Sequence, residues 1–152
     1  GRRRAGLALS CDLRIAADSA FVSTGYAKVG LPGDYGFAWL LTRIVGPGRA
    51  RELLLFCEWV GAERALEIGL FNKVVPADKL RDAALEFVRP LANGPRVAYG
   101  YIKDNLDDAL TMDHATAIER EAERMLRGQS TVDHKEAARA FVEKRAPVFQ
   151  GR

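Results

Sequence analysis

From about residue 47 onward the chain repeats one pattern, a stretch with apolar residues at helical spacing followed by a turn bearing Gly, Pro or a capping residue. A stripe of this kind can be buried only against another element, so the second part of the molecule must be helices in search of partners. Leu80, Ala84, Phe87, Val88 and Leu91 share one face, while Arg81, Asp82 and Glu86 look away. The next helix opens at Asn93-Gly94-Pro95, with proline at its first position, and carries Ala98, Tyr101, Ile102 and Leu106 on one side. Ile118, Ala122, Met125 and Leu126 stripe another, whose outer face allows a Glu123 to Arg127 pair. Thr131 is placed to cap the last helix, with Ala137, Ala138, Phe141 and Val142 inward and Pro147 beyond its end.

The first forty residues follow a different rule, being rich in glycine and in small or β-branched residues. Leu13, Ile15 and Ala17 alternate with Arg14 and Ala16, and Phe21-Val22 follows a Ser/Ala turn, which predicts two short, half-buried strands. Gly30-Leu-Pro-Gly-Asp-Tyr-Gly36 is a turn cluster. Behind it Phe37 to Val45 reads as a helix with Asp34 near its start, closed by Gly46-Pro47, and a second helix runs from about Gly48 to Phe56. Ala62 to Ile68 makes a short helix ended by Gly69, Lys73 to Val75 a short strand stopped by Pro76, and Asp78 caps the helix that follows. The fold class is therefore α/β, a strand-bearing first part and a helical remainder.

With 152 residues, 48% of them hydrophobic and 28% charged, the chain is the size of one ordinary globular domain and is neither collagen-like nor disordered. Lys and Arg number 23 against 20 Asp and Glu, and three of the positive charges sit together at Arg2, Arg3 and Arg4. The rest interleaves signs as a solvated helix surface does. This argues against a nucleic-acid binder, leaves acidic small molecules as partners, and makes a basic-tail binding module on Arg2 to Arg4 a distant alternative. Cys11 and Cys57 lie far apart with no second ligand type beside either, so neither a metal site nor a disulfide framework is expected, and a reducing, cytoplasmic setting fits. No apolar run approaches the roughly 18 residues of a membrane span, and Ala5 to Leu9 is too short for a signal segment, so neither export nor membrane insertion is expected. The chain begins with Gly rather than Met, which raises the expectation of sequence upstream.

Few residues invite chemistry. His114 and His134 each adjoin an aspartate on a predicted helix and are expected at exposed helix ends. Ser10 and Ser23 lack a nucleophile-elbow context, and there is no Walker or dinucleotide glycine pattern. Asp34 has two readings. It is either an N-cap, for which Asp is a preferred residue, or a general base meeting substrate beside apolar walls such as Tyr26, Tyr35 and Trp39.

The order of several segments resembles the crotonase family, the enoyl-CoA hydratase/isomerase superfamily. They are Leu7-Ala-Leu-Ser-Cys-Asp-Leu-Arg-Ile-Ala-Ala17, Phe21-Val22, Lys28-Val-Gly-Leu-Pro-Gly-Asp-Tyr-Gly36 and Leu40-Leu-Thr-Arg-Ile-Val-Gly46. Ala50-Arg-Glu-Leu-Leu54, Ala62-Glu-Arg-Ala-Leu-Glu-Ile-Gly-Leu70, Asn72-Lys-Val-Val-Pro76 and the closing Ala140-Phe-Val-Glu-Lys-Arg-Ala-Pro-Val-Phe-Gln-Gly-Arg152 continue the series. The resemblance implies a spiral of ββα turns of which this chain covers the last, about 1–76 ending the spiral core and about 77–152 forming the helical C-terminal region. It also implies an acyl-CoA thioester substrate, with coenzyme A present only as part of that substrate, and a homotrimer or hexamer.

Catalysis in this family implies two backbone N–H groups that hold the thioester oxygen while a carboxylate moves a proton. Gly6 is the candidate for one donor, with Arg3 or Arg4 as alternatives by direct count. The upstream part of the domain would carry the other donor. The family's hydratases use two glutamates, and the corresponding places here read about Gly6 and Gly25-Tyr26. Its isomerases use a lone acid further along, which Asp34 in Pro-Gly-Asp-Tyr-Gly matches. Phe141 and Lys144 match positions that approach the CoA of a neighbouring subunit. The expectation is an isomerase-type enzyme, with a hydratase as second reading and an inactive remnant, or a helical partner of a full-length relative, as the non-enzymatic alternative.

Overall fold

A computed structural model describes residues 2–152, with Arg2 to Arg4 described by their backbone alone, so the proposed binding role of that basic cluster lies outside the described side chains. Two compact units result, dividing between Leu85 and Glu86. The division falls inside a helix.

The first unit begins with helix α1 (Arg2–Leu9), followed by strands β1 (Ile15–Ala17) and β2 (Phe21–Ser23) and a 3-10 turn at Ala27–Val29. Helix α2 (Phe37–Phe56), strand β3 (Trp59–Gly61), helix α3 (Ala62–Glu67) and strand β4 (Lys73–Val75) complete it, and a 3-10 turn at Ala77–Lys79 leads into α4 (Leu80–Ala92). The two strands read from the sequence do not pair with each other. β1 lies parallel to β4, with Ile15 opposite Lys73, and β2 lies antiparallel to β3, with Val22 opposite Val60. β3 has no counterpart in the sequence reading, because a strand of three residues is too short to show a period. The chain crossing from β1 to β4 is pinned where the pair begins. Arg14 N–H donates to Asn72 Oδ1 at 2.8 Å, Asn72 N–H returns to the Arg14 carbonyl at 2.8 Å, and the Arg14 Nε–H reaches the Leu70 carbonyl at 2.6 Å.

Helix α2 is two helices joined at Gly46, whose φ of 79° and ψ of 161° are not helical. Pro47 then starts the second segment, where its missing N–H removes no bond. The break expected at Gly46-Pro47 is therefore present. Both segments face one core, in which Phe37, Leu41, Leu53, Val60 and Leu70 are almost fully buried, each worth roughly 1.5–3 kcal/mol relative to exposure. Asp78 does not cap α4 as expected. It sits inside the Ala77–Lys79 turn, which no side chain caps, and the helix continues directly from that turn.

The second unit contains the end of α4, then α5 (Arg96–Ala109), α6 (His114–Gln129) and α7 (Val132–Val142). The caps and pairs here are set by neighbouring residues. The Thr131 hydroxyl accepts the His134 N–H at 3.1 Å, and Glu123 pairs with Arg127 at 2.6 Å. Pro95 stands at the N-cap of α5, one position before the predicted one. Asp113 caps α6, accepting from the Thr116 N–H at 3.1 Å and its hydroxyl at 2.7 Å. Arg124 joins α6 to α5 by donating to Asn105 Oδ1 at 2.7 Å and Asp108 Oδ2 at 2.6 Å.

The apolar stripes are a different matter. On α5 Ala98 and Tyr101 are half-buried and Ile102 and Leu106 exposed. On α6 Ile118, Ala122, Met125 and Leu126 are all exposed, and on α7 Ala138, Phe141 and Val142 are exposed while Ala140 is buried. Inward burial of these faces is not achieved within the unit, since α5, α6 and α7 do not enclose a common core. Instead α7 holds the end of the chain. The Asp133 carboxylate, 2% exposed, accepts the N–H groups of Gln150 at 2.7 Å and Gly151 at 2.8 Å, and its own N–H donates to the Arg152 carbonyl at 3.1 Å.

Candidate functional site

The site is built around Tyr26, just beyond β2. The buried Thr24 donates its hydroxyl to the Leu53 carbonyl at 2.6 Å, which ties the end of β2 to the last turn of α2. The Tyr26 N–H donates to the Thr24 carbonyl at 2.7 Å, and the Tyr26 carbonyl accepts from Val29 at 3.0 Å and Leu31 at 3.1 Å. Its ring is 3% exposed and meets Phe37 edge-on, the centroids 5.7 Å apart. From this fixed base the hydroxyl donates to Asp34 Oδ1 at 2.5 Å.

The segment carrying Asp34 is held in uncommon backbone geometry. Gly33 (φ 125°), Tyr35 (φ 51°) and Gly36 (φ 68°) all have positive φ. Glycine tolerates this, but an aromatic residue in the left-handed region costs about 1–2 kcal/mol, and such strain gathers where a side chain has to be aimed. The N-cap reading of Asp34 does not hold. Gly36 is the N-cap of α2 and no side chain caps it, while Asp34 contributes only its carbonyl, accepting the Phe37 N–H at 3.0 Å. The carboxylate stands too early in the chain to serve the first turn and is committed to Tyr26 instead.

Gly6 meets this turn directly, for a Cβ added there would lie 3.5 Å from Tyr35 Cβ. At that distance a Cβ would make ordinary van der Waals contact, so α1 and the Asp34 turn lie side by side there without requiring a glycine. Gly6 is not, however, placed as an oxyanion donor. It lies in the second turn of α1, where helical bonding consumes the N–H, and its carbonyl accepts from Ser10 at 3.2 Å. The free N–H groups of α1 belong to its first turn, where Arg3 and Arg4 stand.

Of the apolar walls expected around Asp34, only Tyr26 is one. Tyr35 is 61% exposed and Trp39 56% exposed, the latter with the Arg43 guanidinium 3.5 Å from its ring centre, and Asp34 is itself exposed. Tyr26 also lines a mainly apolar groove of about 560 Å³, together with Leu31, Pro32, Thr42, Arg51 and Leu54 among others. Residues from both segments of α2 line it. The break at Gly46-Pro47 was legible; that its two arms flank a groove was not. Phe141 and Lys144 belong to the second unit, where Phe141 is 85% exposed and Lys144 follows the C-cap of α7 with a φ of 54°. His114 and His134 are exposed at helix starts, as expected.

The family model described as Enoyl-CoA hydratase/isomerase matches residues 5–152. The chain belongs to the enoyl-CoA hydratase/isomerase family. It is 39% identical to a 1,2-epoxyphenylacetyl-CoA isomerase of Escherichia coli over 97% of its own length and 56% of the relative's. It is 34% identical to a short-chain-enoyl-CoA hydratase of Clostridium acetobutylicum over 91% and 53%. The crystal structure of an enoyl-CoA hydratase from Bacillus anthracis superposes with a TM-score of 0.91 at 32% identity, covering 96% of this chain and 57% of that one. The fold is thus the α/β crotonase-like fold of the family, and the chain spans somewhat over half the length of the relatives it matches. Hydratases and isomerases both occur among them. Among the described residues, no helix is long and apolar enough to cross a membrane.

Proposed function

We propose that this enoyl-CoA hydratase/isomerase family member serves an isomerase that moves a proton along an acyl-CoA thioester, with Asp34 as the shuttle. The observation that carries the reading is the Tyr26–Asp34 pair, a carboxylate aimed by a buried phenol from a left-handed turn that packs on α1. Asp34 takes a proton from the carbon beside the thioester carbonyl, the electrons pass to the carbonyl oxygen, and the double bond re-forms one position over as the proton returns further along the chain. The first-turn N–H groups of α1, at Arg3 and Arg4, are suited to the enolate oxygen, because a helix start presents unpaired donors and the positive end of its dipole. The groove beside Tyr26 would take the apolar part of the acyl chain.

Hydration is the second reading, favoured by the hydratases among the relatives. It needs two acids, and the places that hold glutamates in hydratases read here as Gly6 and Gly25-Tyr26, which offer none. In this proposal the chain is the latter part of the family's domain, the exposed Phe141 and Lys144 meet the CoA of a neighbouring subunit in a trimer or hexamer, and no cofactor is needed beyond the CoA of the substrate.

The test is Asp34→Asn in the protein that carries this chain, assayed on a 3-enoyl-CoA. Size is kept and the base removed, so turnover falls by roughly 10²–10⁴ and exchange of the α-proton with deuterated solvent falls with it. Retained exchange and turnover would exclude Asp34 as the base.

A further inference from the structure

We infer that Tyr26 is the positioning residue of the site, setting which oxygen of Asp34 is free to receive the proton. The inference rests on Asp34 being the base. In sequence Tyr26 stands among the apolar walls, but in the structure its ring faces inward and only its hydroxyl is committed toward the site, through the bond to Asp34 Oδ1 at 2.5 Å. The bond takes Oδ1 and leaves Oδ2 for substrate.

Asp34 needs such a partner. It is exposed, its turn runs through left-handed residues on both sides, and no cap bond fixes its side chain. An aspartate so placed samples several rotamers, and each misplaced one is unproductive, since proton transfer requires hydrogen-bond reach to the carbon acid. Tyr26 is the opposite case. Its backbone is bonded at both N–H and carbonyl, and its ring is fixed against Phe37. The order of α2 is thereby passed, through one phenol, to a carboxylate that its own loop holds poorly.

The position has a further consequence for specificity of reaction. A neutral phenol is a poorer proton acceptor than a carboxylate, so a tyrosine held at the Gly25-Tyr26 turn to orient Asp34 cannot activate water as a glutamate there would. The same residue that aims the proton shuttle therefore also removes the second acid–base group that hydration would require.

The experiment is a double-mutant cycle of Tyr26→Phe and Asp34→Asn in the protein that carries this chain, with a 3-enoyl-CoA as probe and kcat, KM and thermal midpoint as readouts. Tyr26→Phe keeps the ring and removes only the hydroxyl. The expected result is a fall in kcat of roughly 10-fold or more with KM changed little, and no further fall when Phe is added to the Asn variant, since residues acting through one another are not additive. If Asp34→Asn is inactive but Tyr26→Phe has the parent kcat, the positioning role is refuted while the proposed function stands. If Tyr26→Phe lowers kcat by the same factor in both backgrounds, its role is structural and the inference falls. If Asp34→Asn retains parent activity, both fall together.

Discussion

The Asp133 clasp allows the sharpest test of the helical unit. Asp133→Ala removes a carboxylate that is 2% exposed and accepts two backbone N–H groups, from Gln150 and Gly151. Hydrogen bonds to charged groups are each worth about 1.5–3 kcal/mol, which bounds the loss at about 3–6 kcal/mol. Gln150 is exposed and Gly151 half-buried, so both N–H groups can turn to water once the tail is released, and a loss of about 2–4 kcal/mol is expected. Burial of the carboxylate means that solvent screening does not reduce it as at a surface pair. Asp133→Asn keeps one carbonyl acceptor and should lose roughly half as much. Urea denaturation gives the stability change, and amide hydrogen exchange at Gln150 and Gly151 locates it. If those two amides exchange at the parent rate and the denaturation midpoint of the Ala variant is unmoved, the clasp contributes nothing and the reasoning is wrong.

Two further expectations concern other parts of the chain. The Arg145 guanidinium and the Val148 N–H hold the Glu136 carboxyl at a pKa of about 2 against an ordinary 4.5, so this contact stabilises the fold above about 4.5 and is lost as pH falls toward about 2. Thermal midpoints across that range should fall less steeply for Glu136→Gln than for the parent, and parallel curves would exclude the linkage. Gly46→Ala should destabilise by about 1–3 kcal/mol, wholly through backbone conformation, because a Cβ there meets nothing within 4 Å while φ is 79°; a midpoint unchanged in thermal unfolding would show that the joint in α2 tolerates a side chain.

What the sequence determined by itself is local. The Thr131 cap is decided within three residues, Pro76 ends β4 because proline lacks an N–H, and Gly46-Pro47 divides α2 because only glycine accepts that φ and proline begins a segment readily. The family pattern was legible as well, since segment order over nearly the whole chain is a property of sequence. The faces of α4 to α7 could be drawn from periodicity, but a stripe states only that a face is apolar and not what covers it, and Ile118, Met125 and Phe141 are uncovered within the described residues. The pairing of β1 with β4 depends on a crossover of more than fifty residues, beyond any local pattern. The site shows the same division at shorter range. Asp34 stood out as a carboxylate on a turn, yet its partner was decided by a run of left-handed residues that turns it from the start of α2 toward a buried phenol. Gly6 is a candidate oxyanion donor by sequence, and only the helix decides otherwise, because in the second turn of α1 its N–H is spent on helical bonding while a Cβ there would merely touch Tyr35 at ordinary van der Waals distance.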